Sequence, residues 1–117
     1  MRPVIYVAGP YRAVDWQLID MNIEIARAQA IKLWQQGWAV ICPHLNTAHF
    51  DGYCEGHVWL EGYLEILKLC AAIYMLPGWG KSDGARTELA KAVVWNKQIC
   101  YDMPQAYAAL QYLQSNS

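Results

Sequence analysis

Pro3-Val4-Ile5-Tyr6-Val7-Ala8, stopped by Gly9-Pro10, is a short and nearly unbroken apolar run. Such a run fits a strand buried on both faces, as a parallel sheet requires. The pattern then changes period. From Trp16 to Gln36, the residues Ile19, Ile23, Ala26, Ala30 and Leu33 recur at spacings of three and four. That predicts a helix, closed by Gly37. Trp38 to Cys42 predicts a second strand, stopped by Pro43. A polar loop from His44 to about Gly56 leads into a helix from about Val58 to Leu69, with Leu60, Leu64 and Leu67 on one face. Ala71 to Leu76 predicts a third strand and Pro77 to Gly84 a glycine-rich loop. A helix over about Ala85 to Asn96, a strand over Gln98 to Tyr101 and a last helix opened by Pro104 complete the chain.

Strand-helix alternation of this kind predicts an α/β fold with helices on both faces of a parallel sheet. The expectation is a flavodoxin-like, Rossmann-like three-layer sandwich with four to five strands in the order 2-1-3-4. The 117 residues suffice for one domain, so residues 1–117 are read as a single unit. Ligands in such sheets bind beyond the carboxyl ends of the strands. The loops of interest are therefore Gly9 to Asp15, His44 to Gly56 and Pro77 to Glu88.

Composition removes several classes of function. Hydrophobic residues make up 56% and charged residues 16%, the reverse of a disordered chain. Nine basic residues against ten acidic ones give a net charge of −1, so no basic field is available for duplex nucleic acid. Six Trp and eight Tyr against one Phe are more polar-tipped rings than a core needs, and such rings serve interfaces and ring-binding pockets. Cys42, Cys54, Cys70 and Cys100 form no CxxC pair. Cys42, Cys70 and Cys100 lie in or beside apolar runs and read as reduced core thiols. No signal-peptide pattern opens the sequence, and the longest apolar run is too short to span a bilayer, so a soluble cytoplasmic protein is expected.

Two tempting motifs fail. Gly78-Trp79-Gly80-Lys81-Ser82 lacks the first glycine of a P-loop, whose place is held by Met75. The same stretch lacks the third glycine of a dinucleotide fingerprint, whose place is held by Asp83. His44, His49, Asp51 and His57 follow no standard zinc spacing, so no metal site is expected.

Each of the three loops carries groups suited to a polar ligand. Gly9 and Pro10 form a tight turn that lets backbone approach a ligand, and Arg12 just beyond is either a planar anion fork or a solvated side chain. Cys42-Pro43-His44-Leu45-Asn46-Thr47 is either a self-bonded turn or a set of donors and acceptors. Ser82 or Asp83 can cap the third long helix, leaving free N–H groups at its start with Gly84 and Ala85 to keep the approach open. Glu88 shares a helix face with Gly84, Ala92 and Trp95. It is either a pocket carboxylate or an exposed partner of Lys91.

The combination resembles the nucleoside 2-deoxyribosyltransferase superfamily, in particular its small bacterial and phage members. The matching pieces are Ile5-Tyr6-Val7-Ala8-Gly9-Pro10, Cys42 to Thr47, and Leu76-Pro77-Gly78-Trp79 followed by Ser82-x-Gly84-Ala85-x-x-Glu88. The resemblance implies cleavage of the N-glycosidic bond of a nucleoside or nucleoside 5′-monophosphate. It implies Glu88 as nucleophile, forming a covalent glycosyl-enzyme, with the Tyr6 hydroxyl orienting it. It further implies Arg12 and Ser82 as 5′-phosphate ligands, and His44 and Asn46 along the pocket. No cofactor is implied, and a homodimer or larger homo-oligomer is. The sequence departs from the family pattern at two places. The usual Gly-Asp-Leu-Glu reads Gly62-Tyr63-Leu64-Glu65, and the usual Cys-Asp-Ala reads Cys70-Ala71-Ala72. Tyr63 removes an acid, and Glu61 and Glu65 point about 160° and 200° around the helix from it. A nucleotide-binding module without catalysis is the alternative.

Overall fold

The computed structural model describes residues 2–116. Four parallel strands, β1 (Val4–Ala8), β2 (Ala39–Ile41), β3 (Ala72–Met75) and β4 (Gln98–Cys100), form one sheet in the order β2-β1-β3-β4. This is the order that right-handed crossovers predict. Five helices connect and flank the strands: α1 (Trp16–Gln36), α2 (Pro43–Asn46), α3 (Gly56–Lys68), α4 (Asp83–Val94) and α5 (Met103–Ser115). β1 is central and pairs with both β2 and β3, with Tyr6 opposite Ile41 on one side and Ile73 on the other.

The alternating side chains of β1 feed two cores. Ile5 and Val7 pack with Ala26, Ala30, Leu33 and Trp38 on the α1 and α5 side. Tyr6 and Ala8 pack with Tyr63, Leu67, Ala85 and Ala92 on the α3 and α4 side. Cys42, Cys70 and Cys100 are buried free thiols, whereas Cys54 is exposed. Asp15 and Ser82 cap α1 and α4 by accepting from Leu18 N–H and Ala85 N–H, and Gly37 ends α1 in the left-handed region.

Two details differ from the sequence expectation. The loop after β2 begins as a helical turn, α2, with Pro43 in its first turn. Only four residues long, α2 has no apolar repeat to reveal it. A 3₁₀ turn over Trp79–Lys81 likewise interrupts the glycine-rich loop. No helix among the described residues is long and apolar enough to cross a membrane.

Candidate active site

The carboxyl ends of the strands open into a cavity of about 680 Å³, of the size that holds a small molecule. All three loops of interest line it. Gly9, Pro10 and Arg12 come from the first, His44 and Thr47 from the second, and Ser82, Gly84 and Glu88 from the third.

Glu88 sits on the inner face of α4 and is only 8% exposed. The Tyr6 hydroxyl, from the fully buried centre of β1, donates to its Oε2. Burial pushes the Glu88 carboxyl up to about 7, against the opposing pull of the Tyr6 bond. Burial, followed by the Glu88 charge, drives the Tyr6 phenol far above its usual range, so it remains the donor. The open choice at Glu88 therefore falls to the pocket. Lys91, its alternative partner, lies 6.0 Å from the centre of the Trp95 ring. Tyr6 does not line the cavity and reaches it through Glu88.

Gly9 is required by packing. A Cβ there would stand 2.5 Å from Leu76 Cβ, because the end of β1 runs hard against the residue after β3. Gly84 opens the other wall: a Cβ on it would meet nothing within 4 Å. Ser82 uses an Oγ lone pair to cap Ala85 N–H at 3.2 Å, which leaves its hydroxyl proton for a ligand. Arg12 packs its guanidinium over Gly56, where a Cβ would lie 2.7 Å from Nη2, and it has no acidic partner among the described residues.

His44 is buried rather than presented as a loop side chain. Its Nε2 donates to the Pro10 carbonyl at 2.8 Å, and Nδ1 has no hydrogen-bond partner among the described residues. Burial lowers its pKa, which keeps the ring neutral. His44 thus pins the turn after β1 while forming part of the cavity wall. Asn46 is a correction, because it does not reach the cavity. Its side-chain amide donates to the Tyr63 hydroxyl at 3.0 Å, and Thr47 Oγ1 lies 2.9 Å from the same oxygen. Tyr63 itself lines the cavity and meets the Tyr6 ring edge-on at 6.2 Å. Glu61 and Glu65 are exposed and pair with His57 and Lys68, so neither takes the place of the missing acid.

Residues 3–101 match the family model described as "Domain of unknown function (DUF4406)". The chain belongs to the DUF4406 family. No curated protein is a significant match. Among solved structures, this DUF4406 chain is similar to a 2-deoxyribosyltransferase from the psychrotolerant bacterium Bacillus psychrosaccharolyticus. The TM-score is 0.59 at 21% identity, over 82% of this chain and 69% of that one. The likeness is one of fold.

Several cavity residues of the DUF4406 chain escape a reading by motif. Tyr11, Phe50, Asp51, Trp59 and Lys81 all line the cavity. Phe50 and Trp59 place their ring centres 6.1 Å apart. The Tyr11 hydroxyl donates to Asp51 Oδ1 at 2.7 Å and accepts from His49 N–H at 2.8 Å. The sequence signals pointing to this wall are the surplus of Trp and Tyr and the position of Tyr11, Phe50, Asp51 and Lys81 in the three loops at the carboxyl edge. No group of three metal-binding side chains converges among the described residues.

Proposed function

We propose that this protein cleaves the N-glycosidic bond of a nucleoside or nucleoside 5′-monophosphate by way of a covalent glycosyl-Glu88 intermediate. The observation that carries this reading is the buried Tyr6–Glu88 pair at the wall of a nucleoside-sized cavity. Tyr6 engages Oε2 and leaves Oε1 to attack the anomeric carbon. As that bond forms, the carbon–nitrogen bond breaks, and its electron pair leaves with the base, which takes up a proton. Water then attacks the same carbon, losing a proton to solvent that balances the one the base took from it, and the ester electron pair returns to Glu88, giving hydrolysis. A second base in place of water gives transfer. The transition state has the oxocarbenium character that a nearby carboxylate stabilises. With a side chain as nucleophile, the reaction calls for no cofactor.

Arg12, the Ser82 hydroxyl and the start of α4 supply cationic, O–H and N–H donors for a 5′-phosphate. Lys81 adds a second cation to the cavity lining. The test is incubation with a panel of nucleosides, their 5′-monophosphates and NAD, followed by chromatography for free base. Release of base from nucleosides or monophosphates supports the reading. Absence of release from the whole panel contradicts it.

One observation favours a second reading, a nucleotide-binding module without turnover. Tyr63 stands where relatives carry an acid, and it is held by Asn46 and Thr47 as part of a neutral wall. Calorimetric binding of nucleotides with no base released over long incubation supports that reading instead.

A further inference from the structure

Three carboxylates line the cavity: Asp51, Asp83 and Glu88. They differ in how they are held. Asp83 is paired with Arg86 at the first turn of α4. Glu88 is buried against Tyr6. Asp51 has no basic partner among the described residues. Its Oδ1 accepts from the Tyr11 hydroxyl at 2.7 Å, and its Oδ2 has no donor among the described residues.

Tyr11 is itself fixed on three sides. Its hydroxyl accepts from His49 N–H, its carbonyl accepts from Asn22 Nδ2 at 3.1 Å, and its ring packs edge-on to His44 with centres 5.8 Å apart. The segment carrying Asp51 is further tied to α1 by His49 and Asp20, 2.7 Å apart. His49 adopts a φ of +60°, a left-handed conformation that is uncommon for a residue with a Cβ. The carboxylate is therefore oriented by the protein. Beside it, Phe50 and Trp59 offer aromatic surface to the same cavity. A heterocycle resting on those rings would share the cavity with an acceptor-only group.

We propose that Asp51, positioned by Tyr11, is a specificity residue that selects a nucleobase carrying an exocyclic amine over its oxo analogue. The inference rests on the nucleoside reading of the cavity but not on catalysis. A carboxylate accepts from an amine. Facing a carbonyl oxygen, it meets a second acceptor and leaves both groups unpaired. Sites that hydrogen-bond a ligand group discriminate strongly against ligands lacking it. An amide at position 51 removes this bias, because it accepts from an amine and donates to a carbonyl.

The test measures calorimetric binding of AMP against IMP and of CMP against UMP to the full chain, its Asp51→Asn and Asp51→Ala variants, and Tyr11→Phe. The wild type is expected to favour the amino member of at least one pair by about tenfold. Asp51→Asn and Asp51→Ala each reduce that ratio to about two or less, and Tyr11→Phe reduces it part-way. Asp51 is exposed, so both variants are expected to keep the wild-type melting temperature. Equal binding of amino and oxo members by the wild type overturns the proposal, and so does a preference that survives in both Asp51 variants. The 2′-deoxy forms of the same nucleotides supply the control for a sugar contact. If Asp51→Ala costs affinity only when the 2′-hydroxyl is present, Asp51 reads the sugar and the proposal fails. Binding with this preference but without base release removes the catalytic reading alone. Absence of binding by all the probes removes both.

Discussion

At Glu88, folding and reactivity pull in opposite directions. A carboxyl in a nearly dry site costs stability once it ionises, and ionisation is what a nucleophile needs. Its pKa rises from 4.5 to about 7 on folding. A raised acid favours the folded state fully below the unfolded pKa, and that contribution is lost as pH climbs through the folded value. Removing the charge therefore stabilises the protein most above pH 7. Glu88→Gln keeps an acceptor for the Tyr6 hydroxyl, so it is expected to melt at a higher temperature than the wild type at pH 8. The gain is on the order of 3 kcal/mol and falls away toward pH 5. Thermal unfolding across that range checks this, and a pH-independent difference contradicts it. By the same titration, an activity that uses the ionised Glu88 is expected to rise with pH through about 7. The sequence could name Glu88 by resemblance but could not choose between pocket and surface. That choice depends on Tyr6, 82 positions away, reaching it through the sheet. Asn46 was misread because a polar residue beside a pocket can serve the wall as easily as the ligand.

The elements are arranged so that ends meet. β1 finishes at Ala8, and the following Gly9 touches Leu76 just past β3, with Leu76 N–H bonded to the Ala8 carbonyl at 2.8 Å. The atom opposing a Gly9 side chain is a Cβ, which cannot swing away. Gly9→Ala is expected to destabilise the fold by about 1–3 kcal/mol and to weaken nucleotide binding by displacing the turn that carries Pro10 and Arg12. Denaturant unfolding and calorimetry measure both effects, and wild-type values in both would refute the packing argument. Gly84→Ala points into open space and is expected to leave the fold unperturbed. At this scale the long elements were legible, because α1 and α3 carry enough turns to show a period, Pro104 marks the start of α5, and the strands are short apolar runs. The start of the second loop was not. Its first four residues are helical and place His44 against Pro10, a tertiary contact that no local pattern encodes.

The whole molecule exposes more apolar surface than its two cores require. Trp16, Met21, Ile25 and Trp34 on α1, and Tyr107 and Tyr112 on α5, are exposed on the side of the sheet away from α3 and α4. Leu113 on α5 is partly buried and packs against the core. We expect the chain to associate through such a face, since contiguous apolar patches mark interfaces. Light scattering at micromolar concentration should return at least twice the 13.3 kDa of one chain, and a mass near that of one chain would argue against association. Strand order followed from alternation and handedness, whereas surface use does not follow from a pattern that places apolar residues on both faces of α1. The central claim is that Glu88 is the nucleophile of an N-glycosidic cleavage, and it is tested most directly by base release from the accepted substrate at pH 8. The wild type should release free base, and Glu88→Ala and Glu88→Gln should lose that release while melting cooperatively; release retained in both variants would contradict the claim.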